Sequence, residues 1–452
     1  MYPLVNDFRL KMGIMVEPET GVRPLPITHG LDGDAWAEQE FGGAELGDYR
    51  LTRRLVKIVG QKGQLQGLPY SQAAQGDRYD IKGYYYFIDS KKDSVNFEQI
   101  LGPHRGCVIR RMASLKTVLV VQDTTDLNYT MSRECKGLGS IGTNQTKAEA
   151  KGLSLHSCLA FTEEGLPLGV LNAACCAPKP REIELKKSEK RHIPMEEKKT
   201  YKWLESYLDC VAVARTIPDT RIISTMDRDA DIFELYEHVI KNKNKVPVLI
   251  RAHHDRRLSD SPYKLWEDVA QNGHSFEANV TIPPQRKRYD KRTNMFRENL
   301  PKRTACLRIS YKKVHLKPPS DTSTMGNSPV TLYAVYATEE NPPEKAVQID
   351  WMLLTTLDVA NDENALQCIL FYKKRWRIEE WHRVMKTGCG VEKYRFRDAK
   401  RIKRALAIDM VVSWRVMFLT LSGRNTPNAD AEMFFNQDEC SILTEILKKS
   451  PQ

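Results

Sequence analysis

The chain has 452 residues, which is too long for one simple core and predicts two to three domains. Its 69 Lys and Arg against 58 Asp and Glu give a net charge of +11, which favours a polyanionic partner, although a solvated basic surface is nearly as common. We expect no membrane span, because no apolar run approaches ~20 residues. We also expect a reduced intracellular protein, because the ten cysteines lack zinc-site spacing and no signal peptide is recognisable.

The amino-terminal part starts without a hydrophobic period and continues as helix. Residues 1–30 are punctuated by proline and glycine, which predicts a flexible leader. From Asp34 the pattern becomes helical, with an apolar and a basic stripe on separate sides. The basic stripe consists of Arg50, Arg53, Arg54 and Lys57. Such a stripe is typical of a helix that reads a DNA end, and a solvated helix face explains it equally well.

Four consecutive aromatic residues, Tyr84 to Phe87, form a second candidate DNA contact. Aromatic side chains can stack on bases, and Tyr85 is the residue that we select for this role. We expect at least two of the four residues to pack in the core instead.

Two carboxylates follow β-branched, apolar runs. Val118 to Gln122 is such a run and stops at Asp123, and Arg221 to Met226 is another and stops at Asp227. Runs of this kind predict buried strands, so each Asp is expected at a strand end. A strand-end Asp is more often a helix cap or a turn former than a catalytic group. Asp229 and Asp231 fit that ordinary role, because they precede a helical pattern.

The middle of the chain predicts further strands. Leu153 to Phe161 and Leu166 to Leu171 read as a hairpin with Gly165 in its turn. Residues 256–349 alternate in short segments between turns rich in Pro, Lys and Arg, which predicts a β-rich insertion. Ile349 to Thr355 returns the chain towards the core. The order of elements suits a mixed α/β fold in which helices pack on a mixed sheet.

The last informative segments are helical. Met410 to Leu421 predicts a buried helix that Ser422 and Gly423 end. Residues 372–386, placed on one α-helix, bring four polar side chains within an arc of roughly 60°. These are Tyr372, Arg375, Glu379 and Lys386. A carboxylate flanked by phosphate-binding donors suits a metal site, while a solvated face with i,i+4 charge pairs is the ordinary explanation for a single helix.

Asp123, Asp227 and Glu379 together resemble the DDE triad of transposases with a ribonuclease-H-like fold. The pattern Tyr-x2-Arg-x3-Glu-x6-Lys resembles the signature of the IS-four-type transposases, nearest the transposon-five type. Further similar segments are Leu46–Leu55, Gln122–Thr125, Gly137–Ile141, His156–Ser157, Asp227–Ile232 and Trp351–Thr355. The resemblance extends from about Trp36 to about Cys440.

The resemblance implies a domain organisation. The expected domains are a leader at 1–30, an N-terminal helical DNA-binding domain at 31–105, a ribonuclease-H-like core at 106–255 and 350–422, a β-rich insertion at 256–349 and a short tail at 423–452. The tail implies that most of the helical dimerisation region of these transposases is absent, although a homodimer is still expected in the synaptic complex.

The resemblance also implies chemistry and partners. Asp123, Asp227 and Glu379 would hold two Mg²⁺ ions, with Mn²⁺ as a substitute, because hard ions take carboxylate oxygens. Residues expected to contact DNA are Tyr372, Arg375, Lys386, Trp351, Arg251, Arg50, Arg53, Arg54, Lys57 and Tyr85. For Trp351, stacking on a flipped base competes with core packing.

The expected activity is cut-and-paste transposition. Transposon terminal inverted repeats and target DNA are the expected double-stranded partners, and the bacterial cytoplasm, in association with the nucleoid, is the expected location. The expected steps are nicking, hairpin formation, hairpin opening and strand transfer. Two alternatives stay open: a catalytically silent protein that binds DNA ends, and a related Mg²⁺-dependent nuclease without strand transfer.

Overall fold

A computed structural model gives the structure of most of the chain. The predicted leader, residues 1–30, lies outside the described residues, and so do parts of the predicted insertion and tail. The described residues are 35–132, 134–143, 148–178, 198, 200–243, 245–282, 288–290, 295–297, 299–319, 328–343, 346, 348–425, 435 and 437–449.

The chain divides into two compact units, each made of segments that are far apart in sequence. We call unit A the one formed by Met1–Glu184, Ala212–Arg221 and Trp376–Gln452. Unit B consists of Leu185–Val211 and Ile222–Arg375. The five-domain organisation expected above is a different division of the chain, and its boundaries stay predictions.

Helices precede the first strand of unit A. Asp48 caps the second of them, since its side chain accepts a hydrogen bond from the backbone N–H of Arg50 at 3.0 Å. The apolar stripe of this helix is buried at Leu55, Ile58 and Val59, as its periodicity predicts. The helices are α1 (Trp36–Phe41), α2 (Tyr49–Gln64), α3 (Tyr70–Ala73), α4 (Arg78–Ile88) and α5 (Phe97–Ala113).

The strands of unit A are antiparallel, and β3 pairs with each of the other three. The predicted hairpin is confirmed, because β3 and β4 pair around a turn in which Gly165 has a φ of 90°. The first strand is longer than predicted and does not stop at Asp123. The strands are β1 (Thr117–Asn128), β2 (Gly139–Thr143), β3 (Glu149–Phe161) and β4 (Pro167–Cys176).

The carboxy-terminal part of unit A is helical. The predicted buried helix exists, but Ser422 and Gly423 do not end it, since it runs to Asn425. By length and composition this helix could cross a membrane, yet 83% of its most apolar window is buried inside the protein, as in a core helix. The elements are α10 (Trp376–Arg383), a π-helical turn (Val384–Gly388), a 3-10 turn (Val391–Lys393), α11 (Ala399–Asn425) and α12 (Gln437–Lys449).

Unit B is built around a mixed sheet of order β5-β6-β12-β11-β10-β7. β5 and β6 are parallel, and the other neighbours are antiparallel. The strands are β5 (Arg221–Met226, in this unit from Ile222), β6 (Val248–Arg251), β7 (His274–Ile282), β10 (Arg303–Leu316), β11 (Val330–Glu339) and β12 (Asp350–Thr355), with β8 (Arg288–Asp290) and β9 (Met295–Arg297) as a separate hairpin.

Helices flank this sheet and complete the unit. The prediction of a mixed α/β fold, with helices packed on a mixed sheet, is confirmed. The helices are α6 (Tyr201–Thr216, which ends in unit A), a 3-10 turn (Arg228–Ala230), α7 (Phe233–Lys241), α8 (Leu265–Asn272) and α9 (Asp362–Lys374).

Candidate active site and DNA-binding surface

Asp227 follows a buried strand directly, as predicted. β5 ends at Met226, and the side chain of Asp227 accepts a hydrogen bond from the backbone N–H of Asp229 at 2.9 Å. Burial raises the pKa of Asp227 above its ordinary value, while the charges of Arg375 and Arg228 act in the opposite direction. A half-buried carboxylate of this kind is stabilised by any additional positive charge. A divalent cation would supply such a charge.

Unit B brings five of the predicted site residues together. Tyr372 is 2% exposed, and burial raises the pKa of its phenol. The guanidinium of Arg375 lies 5.9 Å from the centre of the Tyr372 ring. The charges of Arg251, Arg375 and Asp227 all act on this phenol. The ring of Trp351 meets that of Tyr372 edge-on, with centroids 5.4 Å apart.

Arg251 and Trp351 occupy defined positions in this group. Nη2 of Arg251 donates a hydrogen bond to the carbonyl oxygen of Asp350 at 2.7 Å, and burial lowers the pKa of the guanidinium. Trp351 is half-buried, so one part of the ring packs against Tyr372 and another part is accessible. This position agrees with partial core packing and leaves base stacking as a prediction.

Asp231 has a structural role different from the expected helix cap. Its carboxylate is buried and accepts hydrogen bonds from the backbone N–H groups of His253 and His254, at 2.8 and 2.9 Å. Arg256 forms an ion pair with it at 2.8 Å. The expectation that Asp231 caps the next helix is therefore wrong, because its oxygens accept hydrogen bonds from the segment that follows β6 and from the hydroxyl of Tyr236 within that helix. Asp229 does not cap that helix either, since α7 begins after Ile232 without a side-chain cap.

Asp123 lies within a strand, not at the end of one. The ladder between β1 and β3 continues from Leu119 to Asn128, so the predicted strand end is wrong. What changes at Asp123 is burial: residues 118–122 are fully buried, whereas 123–126 are half-buried or exposed. The end of the apolar run thus coincides with the edge of the buried core, and the pairing between β1 and β3 continues beyond it. Oδ1 of Asp123 accepts a hydrogen bond from the backbone N–H of Thr124 at 2.9 Å.

The helix that was expected to span residues 372–386 is divided into three parts. α9 ends at Lys374, where the N–H of Arg375 bonds the carbonyl of Tyr372 in a tight turn. α10 ends at Arg383, and the N–H of Cys389 then bonds the carbonyl of Val384, which is a π-helical hydrogen bond. The prediction of one uninterrupted α-helix over these residues is therefore wrong, and the 60° arc of four side chains, which depended on it, stays a prediction.

Glu379 lies on α10 and is half-buried. Its apolar neighbours Ile378 and Trp381 are fully buried, as predicted. Glu380 forms an ion pair with Arg377 at 2.7 Å, which agrees with the expectation that it is a poor substitute ligand. Lys386, on the π-helical turn, donates a hydrogen bond from Nζ to the carbonyl oxygen of Asp126 at 2.6 Å.

One residue near Asp123 was missed by the sequence analysis. His382 is buried, and its Nδ1 lies 3.7 Å from Oδ2 of Asp123. Its Nε2 lies 3.0 Å from Oγ of Ser157. The only sequence signal was its place three residues after Glu379, which puts the two side chains on neighbouring positions of one helix face.

The three carboxylates are distributed over both units. Asp123 and Glu379 belong to unit A, and Asp227 belongs to unit B. Each position offers the hard oxygen ligands that Mg²⁺ prefers. Their assembly into one triad stays a prediction.

Among the described residues, one group of three possible metal ligands has all its ligand atoms within 4.8 Å of one another: Glu277, Cys306 and Glu340. Glu340 already forms an ion pair with Arg308 at 3.0 Å. The guanidinium of Arg308 thus already provides positive charge next to this group, which we interpret as an ordinary surface charge cluster.

The predicted basic stripe lies on the outer side of α2. Arg50, Arg53 and Lys57 are exposed, and Arg54 is half-buried. Two of these residues form ion pairs within the unit: Arg50 with Asp48 at 3.2 Å and Lys57 with Asp80 at 2.6 Å. The hydrogen bonds from Arg50 hold the pKa of Asp48 down at about 2.

Exposed tyrosines accompany these cations. The guanidinium of Arg54 lies 5.3 Å from the ring centre of Tyr79, and that of Arg53 lies 5.9 Å from Tyr49. Tyr85 is 53% exposed, whereas Tyr84 and Phe87 are buried, which confirms that two of the four aromatic residues pack in the core. Cations next to accessible aromatic rings suit a nucleic-acid backbone and its bases.

Comparison with known proteins supports this DNA-binding assignment. Residues 33–92 match the family described as "Transposase DNA-binding", and these residues include the basic stripe and Tyr85. The match supports a transposase with DNA as its partner. Among solved structures, the cryo-EM structure of the piggyBac transposase synaptic complex with hairpin DNA is similar, with 10% sequence identity and a TM-score of 0.35 over 85% of this chain. The chain spans 64% of the length of that structure.

Proposed function

We propose that the protein is a DDE transposase of the IS-four type, most similar to the transposon-five branch, which carries out Mg²⁺-dependent cut-and-paste transposition. The observation that carries this proposal is the match of residues 33–92 to the transposase DNA-binding family. Three carboxylates would supply the chemistry. Asp123 lies at the rim of a buried strand, Asp227 follows one, and Glu379 lies on α10 among buried neighbours.

The DNA end would be held by the outer side of α2. Arg53 and Lys57 would contact phosphates, since exposed cations in a row match the spacing of charge along a duplex. Tyr85 on α4 would contact sugar or base. These contacts position the end and account for a large part of the affinity.

At the reacting phosphodiester, the protein would supply both charge and orientation. Arg375 and Lys386 would hold phosphate oxygens, Tyr372 would donate a hydrogen bond from its phenol, and Arg251 would contact the DNA backbone with the part of its guanidinium that does not bond Asp350. Asp123, Asp227 and Glu379 would hold two Mg²⁺ ions, which when bound activate the attacking hydroxyl and stabilise the leaving oxygen.

The reaction would proceed by successive phosphoryl transfers. Water attacks the phosphorus atom at the transposon end and releases a 3′-hydroxyl. This hydroxyl attacks the opposite strand to form a hairpin, a second water opens the hairpin, and the 3′-hydroxyl then attacks the target DNA. Each step exchanges one P–O bond for another, so one site can perform all of them. A homodimer would bring two ends together, and the bacterial nucleoid would be the place of action.

The test uses the DNA that flanks the gene, cut to expose the candidate ends. This DNA is incubated with Mg²⁺ and with wild-type protein, Glu379→Gln or Glu380→Gln, and the products are resolved on denaturing gels. Wild type and Glu380→Gln should both give nicks, hairpins and joined products, and Glu379→Gln should give none. Nicks without hairpins or joins would indicate the nuclease instead, and binding without cleavage by wild type would indicate the silent end-binding protein.

A further inference from the structure

The contacts of His382 follow from the register of two strands. In the ladder between β1 and β3, Asp123 is directly opposite Ser157, and Thr124 is directly opposite His156. Opposite residues of an antiparallel pair point to the same side of the sheet, and successive residues alternate. Asp123 and Ser157 therefore share one side, while Thr124 and His156, hydrogen-bonded at 2.9 Å, share the other.

α10 packs on the side that carries Asp123 and Ser157. His382 of this helix contacts both strands: Nε2 lies 3.0 Å from Oγ of Ser157, and Nδ1 lies 3.7 Å from Oδ2 of Asp123. The imidazole is 6% exposed, and Ser157 is fully buried. One rigid ring thus touches two neighbouring strands through its two nitrogens.

Glu379 lies one helical turn before His382 on the same helix. Residues three apart are neighbours on a helix face, so a ring that fixes His382 against β1 and β3 also restricts the position of Glu379 on the same helix. Metal sites need ligands held to within fractions of an ångström, and side chains that orient the ligands supply this precision.

We propose that His382 is a positioning residue of the active site, which holds α10 against Ser157 and Asp123 so that Asp123 and Glu379 present their carboxylates to one divalent cation. This inference rests on the proposed function, because it assigns the two carboxylates to a metal site. In this role Ser157 would donate its hydroxyl hydrogen to Nε2, so that the N–H of Nδ1 would face the carboxylate of Asp123.

Positioning and core packing require different properties of the His382 side chain. Packing needs only volume, which other side chains can fill. Positioning needs a donor at the place of Nδ1, which the amide of asparagine supplies and alanine does not. His382→Asn is therefore the conservative variant that separates the two roles.

The experiment measures Mn²⁺ binding by electron paramagnetic resonance, with the full-length protein, in the presence and absence of duplex DNA that carries the candidate end. His382→Ala should weaken Mn²⁺ binding by about 10- to 100-fold, as orienting residues of metal ligands typically do, and His382→Asn should recover most of the loss. Ser157→Ala, which removes one oxygen atom, should cause a smaller loss in the same direction. His156→Gln, on the opposite side of the same strand, should bind Mn²⁺ like wild type.

The outcomes separate this inference from the proposed function. If wild type and His382→Ala bind Mn²⁺ equally, the positioning role is overturned and the proposed function stands. A second outcome is that the loss of Mn²⁺ affinity in each variant parallels the decrease in its melting temperature, and that His382→Asn, at the same stability as His382→Ala, recovers no affinity. His382 then only packs in the core, and the inference is again overturned. If wild type binds no Mn²⁺ with or without DNA, the metal site itself is overturned, and this inference with it.

Discussion

The ammonium group of Lys62 lies 3.1 Å from the carboxylate of Asp409, with 8% and 2% of the two side chains exposed. Lys62 is on the inner side of α2, the helix whose outer side carries the basic stripe, and Asp409 is on α11. Burial alone would lower the pKa of Lys62, but the charge of Asp409 raises it above its ordinary value. The candidate DNA-binding helix is thus fixed to a core helix by a buried ion pair.

Removal of one partner of this pair should destabilise the protein strongly. Asp409→Asn leaves the Lys62 charge buried without its counter-ion, which should cost about 3–5 kcal/mol of unfolding free energy. Arg50→Met, which breaks the exposed pair of Arg50 with Asp48, should have a much smaller effect on the unfolding free energy. Urea denaturation measures both. An equal, small effect of the two variants would show that the buried pair does not hold α2 in place.

A second buried network predicts a pH dependence. His104 is fully buried, and its Nε2 accepts a hydrogen bond from the backbone N–H of Val170 at 2.9 Å, so this nitrogen carries no proton. Nδ1 donates to Glu40. Burial lowers the pKa of His104 to about 3. The unfolded chain takes up a proton near the ordinary value of about 6.5, and the folded protein does so only near 3.

Acid should therefore favour unfolding within this window. As the pH falls below about 6.5, His104 should reduce the unfolding free energy by up to about 1.4 kcal/mol per pH unit. In His104→Asn, which keeps a donor towards Glu40 but takes up no proton, this contribution should be absent. We would measure the unfolding free energies of both proteins at about pH 4 to 8, a range that includes the ordinary histidine pKa. The two values should converge as the pH falls. Parallel curves would contradict the neutral buried imidazole.

The basic stripe predicts a salt dependence of DNA binding. Arg53→Ala and Lys57→Ala should each weaken binding to duplex DNA and reduce the slope of log affinity against log salt by about 1, because each loses about one phosphate contact. Arg215→Ala, an exposed arginine outside residues 33–92, should leave the slope unchanged. Fluorescence anisotropy at several salt concentrations measures the slopes. A change of affinity with the slope preserved would indicate that these residues do not contact phosphate.

Tyr372 should act as a hydrogen-bond donor and not as a nucleophile. Its phenol is buried and burial raises its pKa, so the phenolate that would attack phosphorus is disfavoured. Tyr372→Phe keeps the ring against Trp351 and should slow cleavage by about ten- to a hundredfold, the loss of one hydrogen bond to a charged group. Denaturing gels should show no covalent protein–DNA product for either protein. A covalent product that Tyr372→Phe abolishes would contradict this role.

The sequence predicted those features of the fold that depend on local pattern. β5 ends where its buried run ends, so Asp227 was placed correctly, and the stripe of α2 was visible from its period alone. β1 was misjudged because its partner β3 continues the ladder past Asp123, and pairing between distant segments leaves no local signal. The division of residues 372–386 was missed because a π-helical turn needs only one displaced hydrogen bond.

The surroundings of the site were less predictable than its carboxylates. The contact of His382 with Ser157 joins residues that are 225 positions apart in the chain. Asp231 looked like a helix cap, because the residues that use its oxygens, His253, His254 and Arg256, come after another strand. Both contacts depend on how the strands are arranged in the sheet, which one sequence does not determine.

The proposal that Asp123 holds a divalent cation is the centre of this account, and a change of ligand atom tests it most directly. Asp123→Cys replaces a hard oxygen with a soft sulfur, which Mg²⁺ binds poorly and Mn²⁺ tolerates better. Cleavage of end DNA in Mg²⁺ should fall roughly a thousandfold, since a bound metal contributes several kcal/mol to the stabilisation of the transition state, and Mn²⁺ should restore part of it. Asp126→Cys, three residues further along β1 and exposed, should cleave like wild type in both metals. Equal loss for Asp123→Cys in Mg²⁺ and Mn²⁺, or full activity in Mg²⁺, would contradict the account.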